Sequence, residues 1–245
     1  MFSILRRGVL LKDSGLFDGV TDWHSHLLPG VDDGVREMCE TIEILNTYKQ
    51  LGVRQIWLTP HVMEDYPNSP ESLKMRYEEL SFEVEKCGLA GWPELKLGSE
   101  NMMDNLLEER LDRKELLPIG LDADRLLVET SYYSPPMNME RTLSRVRGAG
   151  YFPVLAHPER YRYMEMKEWS RLKSAGTLFQ LNIPSLIGFY GQEAKAKAEI
   201  ILKKGWYDIA GFDFHSFKAV KSVLEAEIPK RSLGLLMETV HGNRG

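Results

Sequence analysis

TDWHSHLLPGVDDG, residues 21–34, begins on a strand-like run, carries two histidines one residue apart, and then reaches two adjacent acids. Residues i and i+2 of a strand point to the same face, roughly 6.5 Å apart at Cα. His24 and His26 are thereby placed to reach one cavity.

Outward from this stretch, short β-rich runs alternate with helical patterns. Strands are predicted near 20–26, 54–60, 95–99, 125–130, 151–156, 177–183 and 207–213, and helices near 35–51, 70–87, 103–116, 138–149, 165–175, 191–204 and 217–226. Several of these helices are closed by Gly52, Gly88, Gly150, Gly176 or Gly205, as helix stop signals require. A βα unit repeated in this way implies a mostly parallel sheet that either closes into a barrel or stays open and doubly wound. No Gly-x-Gly-x-x-Gly turn follows any of the strands, which removes the main support for a dinucleotide fold.

A chain of 245 residues is long enough for one sizeable core, and no linker divides it. The expected organisation is an extension over 1–19, a single domain over 20–240 and a tail over 241–245, both ends reading as loose. Hydrophobic residues at 43% and charged residues at 27% exclude a disordered chain, and the apolar runs are too short for membrane insertion. The start MFSILRRGVLLKDSG mixes basic with apolar residues, unlike an export signal, so a cytoplasmic location is expected.

Cys39 and Cys87 are the only cysteines, and a disulfide is not expected in that compartment. Cys39 reads as core, on the stripe Val35, Met38, Cys39, Ile42, Leu45. Neither cysteine is followed six positions later by an arginine, so any phosphate chemistry needs another nucleophile. A net charge of −5 argues against a nucleic-acid partner, which needs clustered Lys and Arg.

Five of the six histidines, His24, His26, His61, His157 and His215, fall at or just past the carboxyl end of a predicted strand. Glu100, Glu129 and Asp213 hold equivalent positions, whereas His241 reads as a solvated end residue. That edge is where α/β active sites assemble. A lone histidine on an apolar strand is more often a satisfied core or surface group, and Glu100 or Glu129 singly an ordinary surface acid. Gathered at one pole, they require compensation for buried charge, which metal ions provide. Imidazole and carboxylate without thiolate suit zinc, manganese or iron rather than copper.

Taken in order, TDWHSHLLPGVDDG, WLTPH, LGSEN, LVETSYY, VLAHPERYRYM and GFDFH resemble the bacterial tyrosine phosphatases of capsule and exopolysaccharide clusters, within the polymerase-and-histidinol-phosphatase (PHP) superfamily. The resemblance implies a distorted seven-stranded (βα)7 barrel holding three divalent ions, manganese ahead of iron or zinc. One ion would be held by His24, His26, Glu100 and Asp213, a second by Glu100, Glu129 and His157, and a third by Asp33, His61 and His215. Asp33 rather than Asp32 matches the family's ligand, leaving Asp32 to support the loop. The attacking group would be metal-bound hydroxide.

Arg160, in HPER, resembles the family's phosphate-binding arginine and would grip two phosphate oxygens and stabilise the transition state; its alternative is a surface pair with Glu159. Tyr66, Tyr132, Tyr133, Phe189 and Tyr190 are predicted in loops at the same mouth, with Tyr66, Tyr133 and Tyr190 the candidates for flanking a flat aromatic substrate. Phe212 and Phe214 either narrow the pocket or pack the core. A further arginine expected after Asp-x-His is not evident, and Lys218 or Lys221 would be a poor bidentate substitute.

The implied activity is hydrolysis of phosphotyrosine on a protein, namely a tyrosine kinase of polysaccharide export. Its rivals are a small-molecule phosphatase such as one for histidinol phosphate, and a metal-stabilised binding module without catalysis.

Overall fold

The computed structural model describes residues 8–88 and 91–242. Strands run at β1 (Gly8–Leu10), β2 (Thr21–Ser25), β3 (Gln55–Leu58), β4 (His61–Val62), β5 (Glu94–Leu97), β6 (Glu100–Met102), β7 (Arg125–Glu129), β8 (Phe152–Ala156), β9 (Leu178–Asn182), β10 (Ile209–Gly211) and β11 (Glu227–Pro229). Helices run at α1 (Met38–Leu51), α2 (Pro70–Lys86), α3 (Leu107–Arg113), α4 (Met139–Gly148), α5 (Met166–Ser174), α6 (Ile183–Leu186), α7 (Gln192–Lys203), α8 (Phe217–Leu224) and α9 (Lys230–Gly242). Helix boundaries follow local chemistry. Ser69 and Ser72 form a reciprocal cap before α2 with Pro70 at its first turn, and left-handed Gly52 (φ 80°) ends α1.

The result is an α/β fold on a curled parallel sheet. Its ladder is divided into six strands, β10-β9-β8-β7-β6-β4, and three, β2-β3-β5, rather than running as one seven-stranded sheet. The division follows two breaks in the chain, beyond each of which lies a short strand outside the predicted ranges. Pro60, which lacks an N–H, ends the predicted 54–60 and separates β3 from β4, its carbonyl accepting from Glu100 N–H at 3.0 Å. Gly98, within the predicted 95–99, separates β5 from β6, at a point where a Cβ would sit 2.4 Å from Ile119 Cγ2.

At the other end of the sheets, β10 lies against β2. Asp213 N–H donates to His24 O at 2.7 Å, His26 N–H to Phe214 O at 3.1 Å, and Phe212 N–H to the Asp22 carboxylate at 2.9 Å. Asp22 also accepts from the Tyr48 hydroxyl at 2.9 Å, which ties α1 to this seam. Burial pushes the Asp22 carboxyl up to about 7 in spite of these donors. A Cβ on Gly211 would lie 2.7 Å from His24 N, so only glycine allows this approach.

The larger core fills the space between strands and helices. A second cluster comes from the strands themselves: Trp23 stacks on Trp57 at 5.9 Å, with Leu127, Val154, Ala156 and Ile209 around them. Drawn from β2, β3, β7, β8 and β10, it closes the inside of the curl beneath the strand ends.

Two expectations need correction. The segment before residue 20 is not loose where it is described: Leu11, Leu16 and Phe17 are buried, Phe17 stacks on Phe212 at 5.0 Å, and β1 pairs antiparallel with β11. Residues 241 and 242 end α9; residues 1–7 and 243–245 lie outside the described residues. Cys39 is exposed, not core. Helix α1 begins at Met38, and its buried face is Thr41, Ile44, Leu45 and Tyr48, which turns Cys39 outward. No helix among the described residues is long and apolar enough to cross a membrane.

Gly211→Ala is expected to force β10 from β2 and lower stability by about 1–3 kcal/mol, the cost typical of overpacking. Urea unfolding followed by circular dichroism checks this, and an unchanged midpoint would refute the tight seam.

Candidate metal centre

The ionisable residues predicted at strand ends converge at one pole of the fold. His24 lies within an irregularity of β2, and His26 follows the strand directly after it: Asp22 pairs with Ile56 and Ser25 with Leu58, so β2 carries one extra residue between these pairs. Such a bulge re-aims side chains. His61 opens β4, directly beside Glu100 of β6. Glu129 ends β7, and His157 and Asp213 follow β8 and β10. His157 (φ 34°) and Asp213 (φ 53°) are both left-handed, a costly conformation for residues with a Cβ.

Glu100 stands at the centre, fully buried. Its Oε2 lies 3.3 Å from Nε2 of both His24 and His26 and 3.1 Å from His61 Nδ1, and its Oε1 lies 3.0 Å from His157 Nε2. Asp213 Oδ1 is 3.5 Å from His24 Nε2 and 3.2 Å from His26 Nε2. Glu129 Oε1 is 2.8 Å from His61 Nδ1. At the rim, half-exposed Asp33 is 3.4 Å from His61 Nε2 and 3.6 Å from His215 Nε2.

The donors form four overlapping groups suited to a cation: His24, His26, Asp213; His24, Glu100, His157; His61, Glu100, Glu129; and His26, Asp33, His61, His215. All nine expected ligands are included. The sharing differs from the expected division, because His61 turns Nδ1 toward Glu129 as well as reaching Asp33, and His157 stands 4.0 Å from the nearer Glu129 oxygen.

The residues fit a metal on their own chemistry. Glu129 Oε1 and His61 Nδ1 lie 2.8 Å apart without the angles of a hydrogen bond, and Glu100 Oε2 and His157 Nδ1 are likewise buried with no hydrogen-bond partner, an arrangement native interiors rarely tolerate. Burial works to raise Glu100, but His24 and His61 hold it well below the carboxylate range. Burial and the Glu100 charge raise Glu129. His157 is pushed down to about 4 by burial and by Arg160, which keeps it neutral and its lone pair free for a metal.

A further layer orients these donors. Asp32 Oδ2 accepts from His26 Nδ1 at 2.8 Å and His61 N–H at 3.0 Å, while its Oδ1 accepts from Gly34 N–H at 2.9 Å. Gln180 Oε1 accepts from His24 Nδ1 at 3.0 Å and His157 N–H at 3.1 Å. Both contacts leave Nε2 of His24 and His26 as the donor atom. Asn182 Nδ2 donates to Asp213 Oδ2 at 2.7 Å. Sequence reasoning passed over Gln180 and Asn182, although the pair of polar residues in LFQLN, two apart at a strand end, carried the same signal as His24 and His26.

Arg160 donates to Asp213 Oδ2 at 2.7 Å, and its guanidinium lies 3.9 Å from the Tyr190 ring centroid and 4.5 Å from that of Tyr132. It does not pair with Glu159, whose buried carboxylate accepts from Ser185, Tyr207 and the Asn182 amide. A cavity of about 280 Å3 opens over the centre, lined by Tyr66, Tyr132, Arg160 and seven of the nine ligand candidates, all but His24 and His26. Tyr133 and Tyr190, both predicted to flank the substrate, are absent from that lining: Tyr133 is 70% exposed with Arg162 against its ring while its neighbour Tyr132 lines the cavity instead, and Tyr190 packs against the Arg160 guanidinium. Tyr66 stacks on His61 at 6.0 Å. Phe212 and Phe214 stack on each other in the core, and Lys218 and Lys221 do not line the cavity.

The family model for capsular polysaccharide synthesis, CpsB/CapC, matches residues 20–227. The chain is 28% identical over 204 residues to tyrosine-protein phosphatase YwqE of Bacillus subtilis strain 168, covering 80% of this chain and 78% of that protein. It is 27% identical over 204 residues to tyrosine-protein phosphatase CpsB of Streptococcus pneumoniae, covering 80% and 82%. Among solved structures, a chain from work on YwqE and CpsB, described there as metal-dependent tyrosine phosphatases, superposes with a TM-score of 0.76 at 24% identity, over 91% of this chain and 88% of that one. At this identity the superposition speaks to the fold.

Gln180→Leu keeps the volume but leaves the His24 ring N–H and the His157 amide unpaired. Affinity for Mn²⁺ is expected to fall about 10–100-fold, as for other supporting contacts of metal ligands. Calorimetric titration of stripped protein measures this, and an unaltered Kd would remove the orienting role.

Proposed function

Because the chain belongs to the capsular polysaccharide synthesis family CpsB/CapC, we propose that it is a metal-dependent protein-tyrosine phosphatase. The observation that carries this reading is the central, unpartnered Glu100 oxygen ringed by histidines beneath a cavity that also holds Arg160. Three manganese ions are proposed as the resident group, with the nine expected residues as ligands, Glu100 shared between two ions. The two sheets are taken to act as one distorted seven-stranded barrel within a single domain over 20–240. The physiological substrate is proposed to be a tyrosine kinase of polysaccharide export, met in the cytoplasm.

Bound ions supply Lewis acidity and lower the pKa of water near the phosphorus. The protein's own residues perform the remaining tasks. Arg160, held by Asp213 and between Tyr132 and Tyr190, is set to grip phosphate oxygens and to meet charge that grows on them in the transition state. Tyr66 and Tyr132 present aromatic walls to the ring of a phosphotyrosine. At about 280 Å3 the cavity is near the lower end of small-molecule sites, room for one aromatic ester with its peptide left outside.

Purified protein should contain divalent metal by elemental analysis and hydrolyse a phosphotyrosine peptide, losing activity on chelation and recovering it with Mn²⁺. Far faster turnover of histidinol phosphate would replace the protein substrate with a small one. His157→Ala should abolish hydrolysis and lower Tm in metal-replete buffer, since bound metal stabilises the folded state. Arg160→Ala should cost roughly 10²-fold or more in kcat, on the scale of a lost transition-state contact, with metal content intact; equal turnover would make Arg160 scaffold.

A further inference from the structure

The segment that carries Arg160 lies outside the sheet ladder. It follows left-handed His157 (φ 34°), runs as one 3-10 turn over Pro158–Arg160, and continues without regular structure to Glu165. Backbone of this kind keeps one shape only where its neighbours hold it. Its amides are held by groups of the site and of the turn itself: His157 N–H donates to Gln180, Arg160 N–H to His157 O at 2.9 Å, and Arg162 N–H to Tyr132 O at 2.9 Å. The carbonyls just beyond Arg160 are held from a different element. Lys197, on α7, donates from Nζ to Tyr161 O at 2.9 Å and to Arg162 O at 3.1 Å.

We propose that Lys197 is a positioning residue for Arg160, fixing the backbone from which its guanidinium reaches a bound phosphate. The proposal rests on the reading of Arg160 as the phosphate-binding arginine.

Three observations support it. First, the ammonium is committed to the scaffold. A lysine has three N–H donors, and three acceptors surround this one, the two carbonyls and Glu193 Oε1 at 2.8 Å. Lys197 does not line the cavity, so any effect on phosphate passes through the backbone. Second, the side chain is buried to reach those carbonyls, being 14% exposed. Lys203 of the same helix is 47% exposed and pairs only with Glu199, one turn away. Taking a cation out of water is unfavourable without such acceptors, which ties the carbonyls to the lysine as firmly as the reverse.

Third, the arginine has little else to aim it. Among the described residues its guanidinium makes one hydrogen bond, to Asp213 at 2.7 Å, and otherwise rests on the rings of Tyr132 and Tyr190. Phosphate oxygens would compete with Asp213 for the same donors. The reach of Arg160 then depends on where its own backbone is held, and Lys197 grips the two residues that follow it.

The test is a double-mutant cycle on manganese-loaded protein, with wild type, Lys197→Met, Arg160→Ala and the double variant titrated calorimetrically with inorganic phosphate. Lys197→Met keeps the aliphatic stem and removes the ammonium. It is expected to weaken phosphate binding about tenfold, since small misplacements of a positioned group are costly. In the Arg160→Ala background the same change should cost less than about twofold, because positioning acts only through Arg160. The cycle in kcat/KM for a phosphotyrosine peptide should follow the same pattern, with manganese content unchanged by elemental analysis.

Equal phosphate Kd in wild type and Lys197→Met overturns the proposal. So does an equal loss with and without Arg160, which would mark a general loosening of the fold, and so does a loss of manganese, which would move the effect to His157. If Arg160→Ala leaves the phosphate Kd unaltered, Arg160 is not the phosphate ligand and the proposal falls with it. If the binding cycle behaves as expected but no phosphotyrosine compound is hydrolysed, the proposed function fails and the positioning role stands. Should Lys197→Met not fold, Lys197→Gln takes its place in the cycle and is judged by the same outcomes.

Discussion

The structure turns on the electrostatic situation of one side chain, Glu100. It is fully buried, it faces four imidazoles, and one of its oxygens lacks a hydrogen-bond partner. Carrying a carboxylate into such a place is unfavourable unless positive charge comes with it. Protonated histidines supply that charge among the protein's own groups, and divalent ions supply it more fully. Much of the surrounding architecture can be read as preparation for those ions: a bulge in β2, breaks at Pro60 and Gly98, and a seam that only glycine at 211 permits.

The orienting contacts extend the same logic outward. A histidine offers a metal one ring nitrogen, and the hydrogen bond at the other nitrogen decides which. Asp32 fixes this choice for His26 and Gln180 for His24, while Gln180 also holds the amide of left-handed His157. One amide thus links two ligand candidates that arrive from different strands. Asn182 and Arg160 together engage the oxygen of Asp213 that points away from the histidines, leaving the other toward the centre.

Most of this centre was legible in the sequence, because position along a strand is a strong constraint. A histidine or acid that ends a β-rich run in a βα repeat has one place to go, the carboxyl edge, so His24, His61, Glu100, Glu129 and Asp213 were found without coordinates. What was not legible depended on distant packing. Whether Tyr132 or Tyr133 faces the cavity is set by how the loop after β7 lies on Tyr161, and nothing local distinguishes two adjacent tyrosines. The buried stretch around Leu11, Leu16 and Phe17 lacks a periodic signature because it packs as an irregular strap tied to Phe212 and β11. Cys39 was misplaced because the first turn expected of α1 is not helical.

The left-handed backbone at His157 and Asp213 has an evolutionary corollary. Glycine would relax either position, yet it would delete a donor atom, so thermodynamic ease and chemistry pull these two sites in opposite directions. Under drift that rewarded robustness alone, both would be early losses. A descendant with glycine at either place would be a sturdier fold whose cluster of donors was no longer complete.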